Sequence, residues 1–378
     1  MNKFLILIYL ILTYLNPDVN QNTQLSLDDK EIDKAITDEM HRYNIPSIVT
    51  CIIKKDTIVW GKAYGYANIE KKIPASLNTI YHIASVSKIV TSVAVLQLYE
   101  QNVLDIDKDI NNYLPFLVRN PKYPDKIITP RILLTHRSGL AWPINGVEDP
   151  DFYRIYPIDS APNLGEWLKN LITPGGKNFN PKLWKNTEPG EVELYSNIGA
   201  ALLGYLVEVV SGTDFNTYCE NNIFRPLNMP NTSLRISNLN KELMAIPYYE
   251  HHTLSGHYSV PFSPSTSIKS SIHEFSHFII AMMNGGEYKS SRILKEETVN
   301  EILRIQYPNS WMGLMWWKWK GDWFGGEGGF LGSSSLAIFQ KTKKIAILIF
   351  SNRTELGSFY PPDGRIYELI HKKAMQFF

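Results

Sequence analysis

Cysteine is nearly absent from this chain, with only Cys51 and Cys219 in 378 residues. Two thiols make no disulfide framework, and since one lies in a strand-like run and the other in a helix-like run, both are expected to be free and packed. An excess of either charge is missing too, with 38 basic side chains against 37 acidic ones. Without surplus Lys and Arg to release counterions, nucleic acid and anionic membrane surfaces are excluded as main partners. A small molecule, a short peptide or an ester suits such a surface better. No internal repeat or low-complexity tract is present. The apolar run Phe4 to Leu15, preceded by Lys3 and broken by Asn16-Pro17-Asp18, falls short of the roughly twenty residues that span a bilayer. Residues 1–15 read as a signal peptide or, because no small-x-small cleavage site follows, a short uncleaved anchor through which the chain would associate with a membrane. Residues 16–26 read as a polar tether, and the folded body over 27–378 is expected to be exported.

Helical spacing of Ile32, Ala35, Ile36, Met40 and Tyr43 predicts an amphipathic helix over 27–44. Two β-rich runs follow, Ile48 to Lys54 and Thr57 to Tyr66, joined by Lys55-Asp56 as a hairpin. A matching pair, Ser333 to Gln340 and Lys344 to Ser351, stands at the far end and leads into an amphipathic stretch from Arg365 to Phe377. Between them helices are predicted at 86–101, 198–211, 214–222, 272–284 and 295–305. The expected architecture is therefore α+β, an antiparallel sheet built from both chain ends and flanked by helices, with an all-helical subdomain inserted over roughly 85–305. Residues 139–190, crowded with Pro, Gly and Trp, read as a long irregular segment walling or covering a substrate site.

The chain is organised around the stretch from Ile80 to Leu104. From Val86 to Tyr99 apolar residues occupy most of a helical circumference, the pattern of a helix packed on several sides. Ser85 stands at its N-terminus and Lys88 three residues on, so both side chains share one face about one turn apart. Low dielectric and the helix dipole disfavour a charged ammonium there, and a neutral Lys88 would take the proton of a nucleophilic Ser85. The plainer role for Ser85 is a helix cap, but a buried-type helix rarely accepts a first-turn lysine without a partner or a task.

Tyr195-Ser196-Asn197 sits between the turn Glu188-Pro189-Gly190 and an apolar helix, where Tyr195 can point a phenol into a cleft and share protons with Lys88. The plainer account makes Asn197 the cap and Tyr195 a packed aromatic. The run Gly325-Gly326-Glu327-Gly328-Gly329-Phe330-Leu331-Gly332 enters the strand from Ser333, and a strand-edge N–H there would complete an oxyanion hole with the N–H of Ser85. It lacks the Lys-Ser/Thr and following helix of a phosphate loop.

Taken in order, Tyr81 to Lys88, Leu133-Leu134-Thr135-His136-Arg137-Ser138-Gly139-Leu140, Pro189-Gly190 before Tyr195-Ser196-Asn197, and Ile223 to Met229 resemble the serine β-lactamase-related family of class C β-lactamases, D-alanyl-D-alanine peptidases and esterases. The resemblance covers roughly residues 28–375. It implies a penicillin-recognising fold, Ser85 as nucleophile, Lys88 and Tyr195 as proton-transfer groups, Asn197 as a substrate contact, and the Gly328-Gly329 segment, through the N–H of Gly329, as oxyanion donor. No cofactor is implied. Where that family carries Lys or His before x-Gly, this chain has Gly326, followed by Glu327. The cation that would anchor a substrate carboxylate is missing, which leans toward the esterase branch, with Arg353 as the substitute cation to be weighed.

Two rivals come from other classes. His273-Glu274-Phe275-Ser276-His277 matches the zinc-peptidase pattern, with Glu296, Glu297 or Glu301 as third ligand, although a capping box between Ser271 and Glu274 gives Glu274 a structural role. The expectation is no metal. A non-catalytic penicillin-binding-like module is the other, and the intact Ser85, Lys88 and Tyr195 speak against it. Of Trp311, Trp316, Trp317, Trp319 and Trp323, one or two are expected to line an acyl or sugar-ring pocket.

Overall fold

Both ends of the chain meet in one sheet. The computed structural model describes residues 28–141, 154–249, 252–253, 256–319, 321–354 and 364–378, so the leader or anchor and the tether lie outside the described residues. Helix α1 (Asp29–Arg42) opens with a capping box between Asp28 and Glu31 and buries Ile32, Ile36 and Met40. Strands β1 (Ser47–Lys54), β2 (Thr57–Asn68) and the short β3 (Ile73–Pro74) follow. Next come α2 (Ser87–Glu100), α3 (Asn197–Ser211) and α4 (Ile272–Met283), then β4 (Trp317–Trp319), β5 (Trp323–Phe330), β6 (Ser333–Gln340), β7 (Ile345–Ser351) and α5 (Arg365–Ala374). The sheet has seven strands in the order β4-β5-β6-β7-β1-β2-β3.

Period-two alternation divides the core between two faces. Ile48, Ile52, Leu336, Ile338, Ile347 and Ile349 face outward onto Ile32 and Ile36 of α1 and Ile366 and Ile370 of α5. Val49, Cys51, Ile53, Ala337, Phe339, Leu348 and Phe350 face inward, toward α2 and α4. A strand buried on both faces, as β1 is, must be apolar throughout, and Ser47–Lys54 nearly is. Helix α2 is buried from Ser87 through Leu98, so it is a core rod with packing on every side. Each fully buried Val, Ile or Leu contributes roughly 1.5–3 kcal/mol, which anchors the helix end that carries Ser85.

Three expectations need correction. The insertion is not all-helical: it holds the strand Lys269–Ser271, paired with Ile80–His82 just before it, and the pair Glu287–Tyr288 with Ser291–Arg292. These strands are too short for any alternation to show in sequence. The glycine-rich run is itself strand β5, paired along its length with β6, where only a strand entrance was expected. Residues 139–190 also hold a helix, Leu164–Ile172, and the buried Trp184 donates its indole N–H to Ile172 O at 3.0 Å. Both cysteines are free and buried, as expected.

Candidate active site

Ser85 lies in a single 3-10 turn, Ala84–Val86, that leads into α2. It does not cap the helix, because the cap position is Val86 and makes no side-chain cap bond. The preceding residue, Ala84, has φ +43°, a left-handed conformation that costs a non-glycine residue energy and that the packed surroundings enforce. The serine hydroxyl is thereby turned away from any helix-capping bond and toward side chains of the site.

Two groups approach it. Lys88 Nζ lies 2.9 Å from Ser85 Oγ and Tyr195 OH lies 2.7 Å from the same oxygen. Lys88 is 3% exposed and also donates to the carbonyl of Ser265 at 2.8 Å. Its Nζ sits 4.9 Å from the Tyr195 ring centroid. No ion pair of Lys88 with a carboxylate occurs among the described residues. Burial therefore pushes the ammonium well below its ordinary range, and the neutral amine is the favoured form. Burial likewise pushes the Tyr195 phenol up, against the opposing hydrogen bond with Ser85, and the Glu327 carboxylate raises it further. An amine ready to accept a proton, a phenol that holds its own and a hydroxyl between them can pass protons to and from an acyl group on Ser85.

Strand β5 closes the other side. A Cβ at Gly328 would lie 2.7 Å from the backbone N of Ser85 and 2.7 Å from Ile83 O, so only glycine lets the strand lie against the peptide of Ser85. Gly329 follows in register with Ser334, beyond the reach of β4, whose last pair is Trp317 with Gly325. Gly326 faces α2, where a Cβ would come within 3.1 Å of Ile89 Cγ2. Glu327 is half-buried, and burial pushes its carboxyl up to about 7, so the full negative charge expected beside the site is only partly present at neutral pH.

Asn197 is not the helix cap. Ser196 takes that role, its Oγ accepting the Gly199 N–H at 2.9 Å. Asn197, the first residue of α3 and 6% exposed, keeps a buried Oδ1 with no partner among the described residues.

Residues 32–371 match the Beta-lactamase family model. The chain belongs to the Beta-lactamase family. It is 27% identical over 299 residues to Protein flp of Staphylococcus aureus (strain N315), covering 76% of this chain and 55% of that protein. Beta-lactamase-like protein 4 of Dictyostelium discoideum is 27% identical over 322 residues, covering 78% of this chain and 53% of that protein. The chain thus spans about half the length of the curated relatives it matches. Among solved structures it resembles the octameric penicillin-binding protein homologue from Pyrococcus abyssi, with a TM-score of 0.69 at 22% identity over 91% of this chain and 77% of that one. It also resembles the class C beta lactamase from Rhodobacter sphaeroides, with a TM-score of 0.66 at 17% identity over 90% of this chain and 98% of that one. At such identities the likeness speaks for the fold, the antiparallel sheet and helices of the β-lactamase and transpeptidase type.

In this Beta-lactamase family chain the His273 to His277 helix is tied into the scaffold. Ser271 Oγ accepts the Glu274 N–H at 3.1 Å, but the reciprocal half of the expected capping box is absent. The Glu274 carboxylate instead accepts from Asn231 N at 3.0 Å and from Thr232 Oγ1 at 2.8 Å. A carboxylate so engaged is not free to serve as a base. His277 Nδ1 donates toward Leu227 O at 3.0 Å, and its ring stacks on Tyr288 with centroids 4.5 Å apart. No third His, Cys, Asp or Glu joins them in a metal-binding group among the described residues.

The tryptophans divide sharply. Trp316 is buried with its N–H on Ser92 Oγ at 3.1 Å, and Trp323 packs on the outer face beside His371. Trp317 and Trp319 are half-buried, and of these five only Trp311 is openly exposed, at 61%. Its loop is held by two bonds, Ser310 Oγ donating to Glu193 at 2.7 Å and Lys318 N to Trp311 O at 2.7 Å. Arg353 lies in a bridge with Tyr248 after β7. Sequence reasoning missed the Ser265 carbonyl, which no side-chain pattern announces, and His136, which sits in a quoted motif without a role.

Proposed function

We propose that this protein is an exported serine hydrolase that works through an acyl-enzyme on Ser85 and acts on small esters or amides. One observation carries the reading: Ser85 Oγ lies between Lys88 Nζ at 2.9 Å and Tyr195 OH at 2.7 Å, in a buried setting that lowers the proton affinity of the amine. In the proposed cycle Ser85 Oγ attacks the carbonyl carbon while Lys88 takes its proton. The developing oxyanion is held by the N–H groups of Ser85 and Gly329, beside the Gly328 contact. Tyr195 then protonates the leaving group as the carbon–heteroatom bond breaks and is reprotonated from Lys88. Water deacylates by the reverse proton path.

The choice of small neutral acyl substrates rests on Gly326, where the cation that would hold a substrate carboxylate is absent and Ile89 crowds the space a side chain would need. Asn197, with its unspent polar group, is assigned to substrate contact, and Trp311 to the outer rim. Export is proposed from the Phe4 to Leu15 run. The D-alanyl-D-alanine peptidase and β-lactamase reading is the second one, favoured by the partial neutrality of Glu327, which weakens the repulsion of a carboxylate. Comparing kcat/KM for p-nitrophenyl butyrate, nitrocefin and a D-alanyl-D-alanine peptide separates them. Preference for the ester supports the first reading, and preference for either carboxylate-bearing substrate supports the second.

A further inference from the structure

Tyr195 is gripped from both sides by one residue. His136 ends the turn after the short helix Pro130–Leu134 in a left-handed conformation, φ +54°, and is 2% exposed. Its carbonyl accepts the Leu194 N–H at 2.7 Å, and its Nδ1 accepts the Ser196 N–H at 3.3 Å. Between those bonds its ring lies against the Tyr195 ring, with centroids 4.7 Å apart and planes tilted by 50°. The residues before and after Tyr195, through their N–H groups, and the ring of Tyr195 are thus all held by the same histidine. Only the unusual backbone turn lets its carbonyl and its side chain reach the same segment. A ring nitrogen that accepts from a peptide N–H cannot carry a proton, so the imidazole is the neutral Nε2–H form. Burial disfavours the charged form as well.

We propose that His136 is a positioning residue that fixes the Tyr195 phenol over Ser85 Oγ and shields Lys88 from water. The proposal rests on the reading of Tyr195 as a proton-transfer group. His136 acts through Tyr195 and touches neither the nucleophile nor an acyl group. The groups facing Lys88 are Ser85 Oγ, the Ser265 carbonyl, the Tyr195 ring and, beyond it, His136. None of them is a carboxylate, so water entry is the change that would raise its pKa.

The test measures kcat, KM and the pH profile for p-nitrophenyl butyrate in the full chain and in His136→Ala, His136→Asn, Tyr195→Phe and the double variant His136→Ala/Tyr195→Phe. The account expects His136→Ala to lower kcat about ten- to a hundredfold, as a misplacement of the order of 1 Å does. KM should stay near the parent value, and the acid limb should move to higher pH. In the Tyr195→Phe background the same change should cost nothing further. Should His136→Ala not fold, His136→Asn carries the test, since asparagine tolerates the left-handed turn and offers an acceptor to Ser196 but has no aromatic ring. It is expected to fall between parent and alanine with the limb still shifted. Parent-like kcat and limb in either folded variant, with Tyr195→Phe inactive, would overturn the positioning role and leave the relay standing. Equal losses with and without Tyr195 would overturn it too. A Tyr195→Phe enzyme as active as the parent would instead remove the relay on which the proposal rests.

Discussion

Lys88 Nζ donates to the carbonyl of Ser265 at 2.8 Å, a bond between the first turn of α2 and a 3-10 turn far along the chain. A second bond, Thr91 Oγ1 to Pro264 O at 2.7 Å, fixes that turn against the same helix. The carbonyl fixes the amine in place, 2.9 Å from Ser85 Oγ, without supplying a negative charge that would hold it protonated.

Replacing Lys88 by arginine tests that arrangement. A guanidinium cannot lose its proton in a protein, so Lys88→Arg keeps a hydrogen-bond donor at this place but cannot act as the base. Turnover of p-nitrophenyl butyrate should fall about a hundredfold or more, the usual contribution of a positioned general base. Lys88→Ala should fall at least as far.

Gly328→Ala should damage the site more than the fold. The new Cβ meets backbone atoms, Ser85 N and Ile83 O, both at 2.7 Å, and neither can rotate away. Either strand or turn must shift, at a cost of about 1–3 kcal/mol in stability. A loss of about a hundredfold in kcat is expected from the displaced nucleophile. Thermal melting and steady-state kinetics on one preparation separate the two effects.

Glu327 should make specificity depend on pH. With its carboxyl pushed up to about 7, it is mostly charged above that pH and mostly neutral below it. The ratio of kcat/KM for nitrocefin to that for p-nitrophenyl butyrate should therefore rise as pH falls through 7. In Glu327→Gln the ratio should be higher at alkaline pH and nearly flat.

His136 should make stability fall in acid. Its folded pKa is lowered from 6.5 to about 3, so below about 6.5 the unfolded chain binds a proton that the folded chain does not. Stability from this group is present above the unfolded value and is lost as pH drops toward 3, by about 1.4 kcal/mol per pH unit. Thermal melts across that window should show a shallower decline in His136→Asn than in the parent.

Activity should survive exhaustive chelation. The zinc-peptidase pattern at His273 to His277 has its glutamate engaged by Asn231 and Thr232 and one histidine bonded to Leu227 O. Loss of turnover with EDTA and recovery with zinc would reverse that assignment.

The parts of this site legible in sequence are those fixed by local geometry. Ser85 and Lys88 are one helical turn apart, so their meeting follows from spacing and from the apolar circumference of α2. Both halves of the sheet showed because Ser47–Lys54 and Ile345–Ser351 are long, β-branched and buried. Tyr195 arrived at Ser85 only through tertiary packing, so in sequence its place before an apolar helix suggested a cleft-facing phenol and the resemblance supplied the rest. Glycine has little strand propensity of its own, and the β5 run becomes a strand because its neighbour β6 holds it in register. The exchange of roles between Ser196 and Asn197 turns on one helix boundary, where pattern reading is weakest. Gly326 also changed meaning: the cation is missing, and Ile89 closely crowds its place.

The central claim is a covalent acyl-enzyme on Ser85, and mass spectrometry of the protein labelled with a fluorophosphonate or caught during turnover of a slow ester tests it most directly. The account predicts one adduct, on the peptide containing Ser85, absent from Ser85→Ala, with turnover abolished in that variant while its melting temperature stays near the parent value. An adduct on another residue, or a folded Ser85→Ala protein that hydrolyses p-nitrophenyl butyrate at the parent rate, would contradict it.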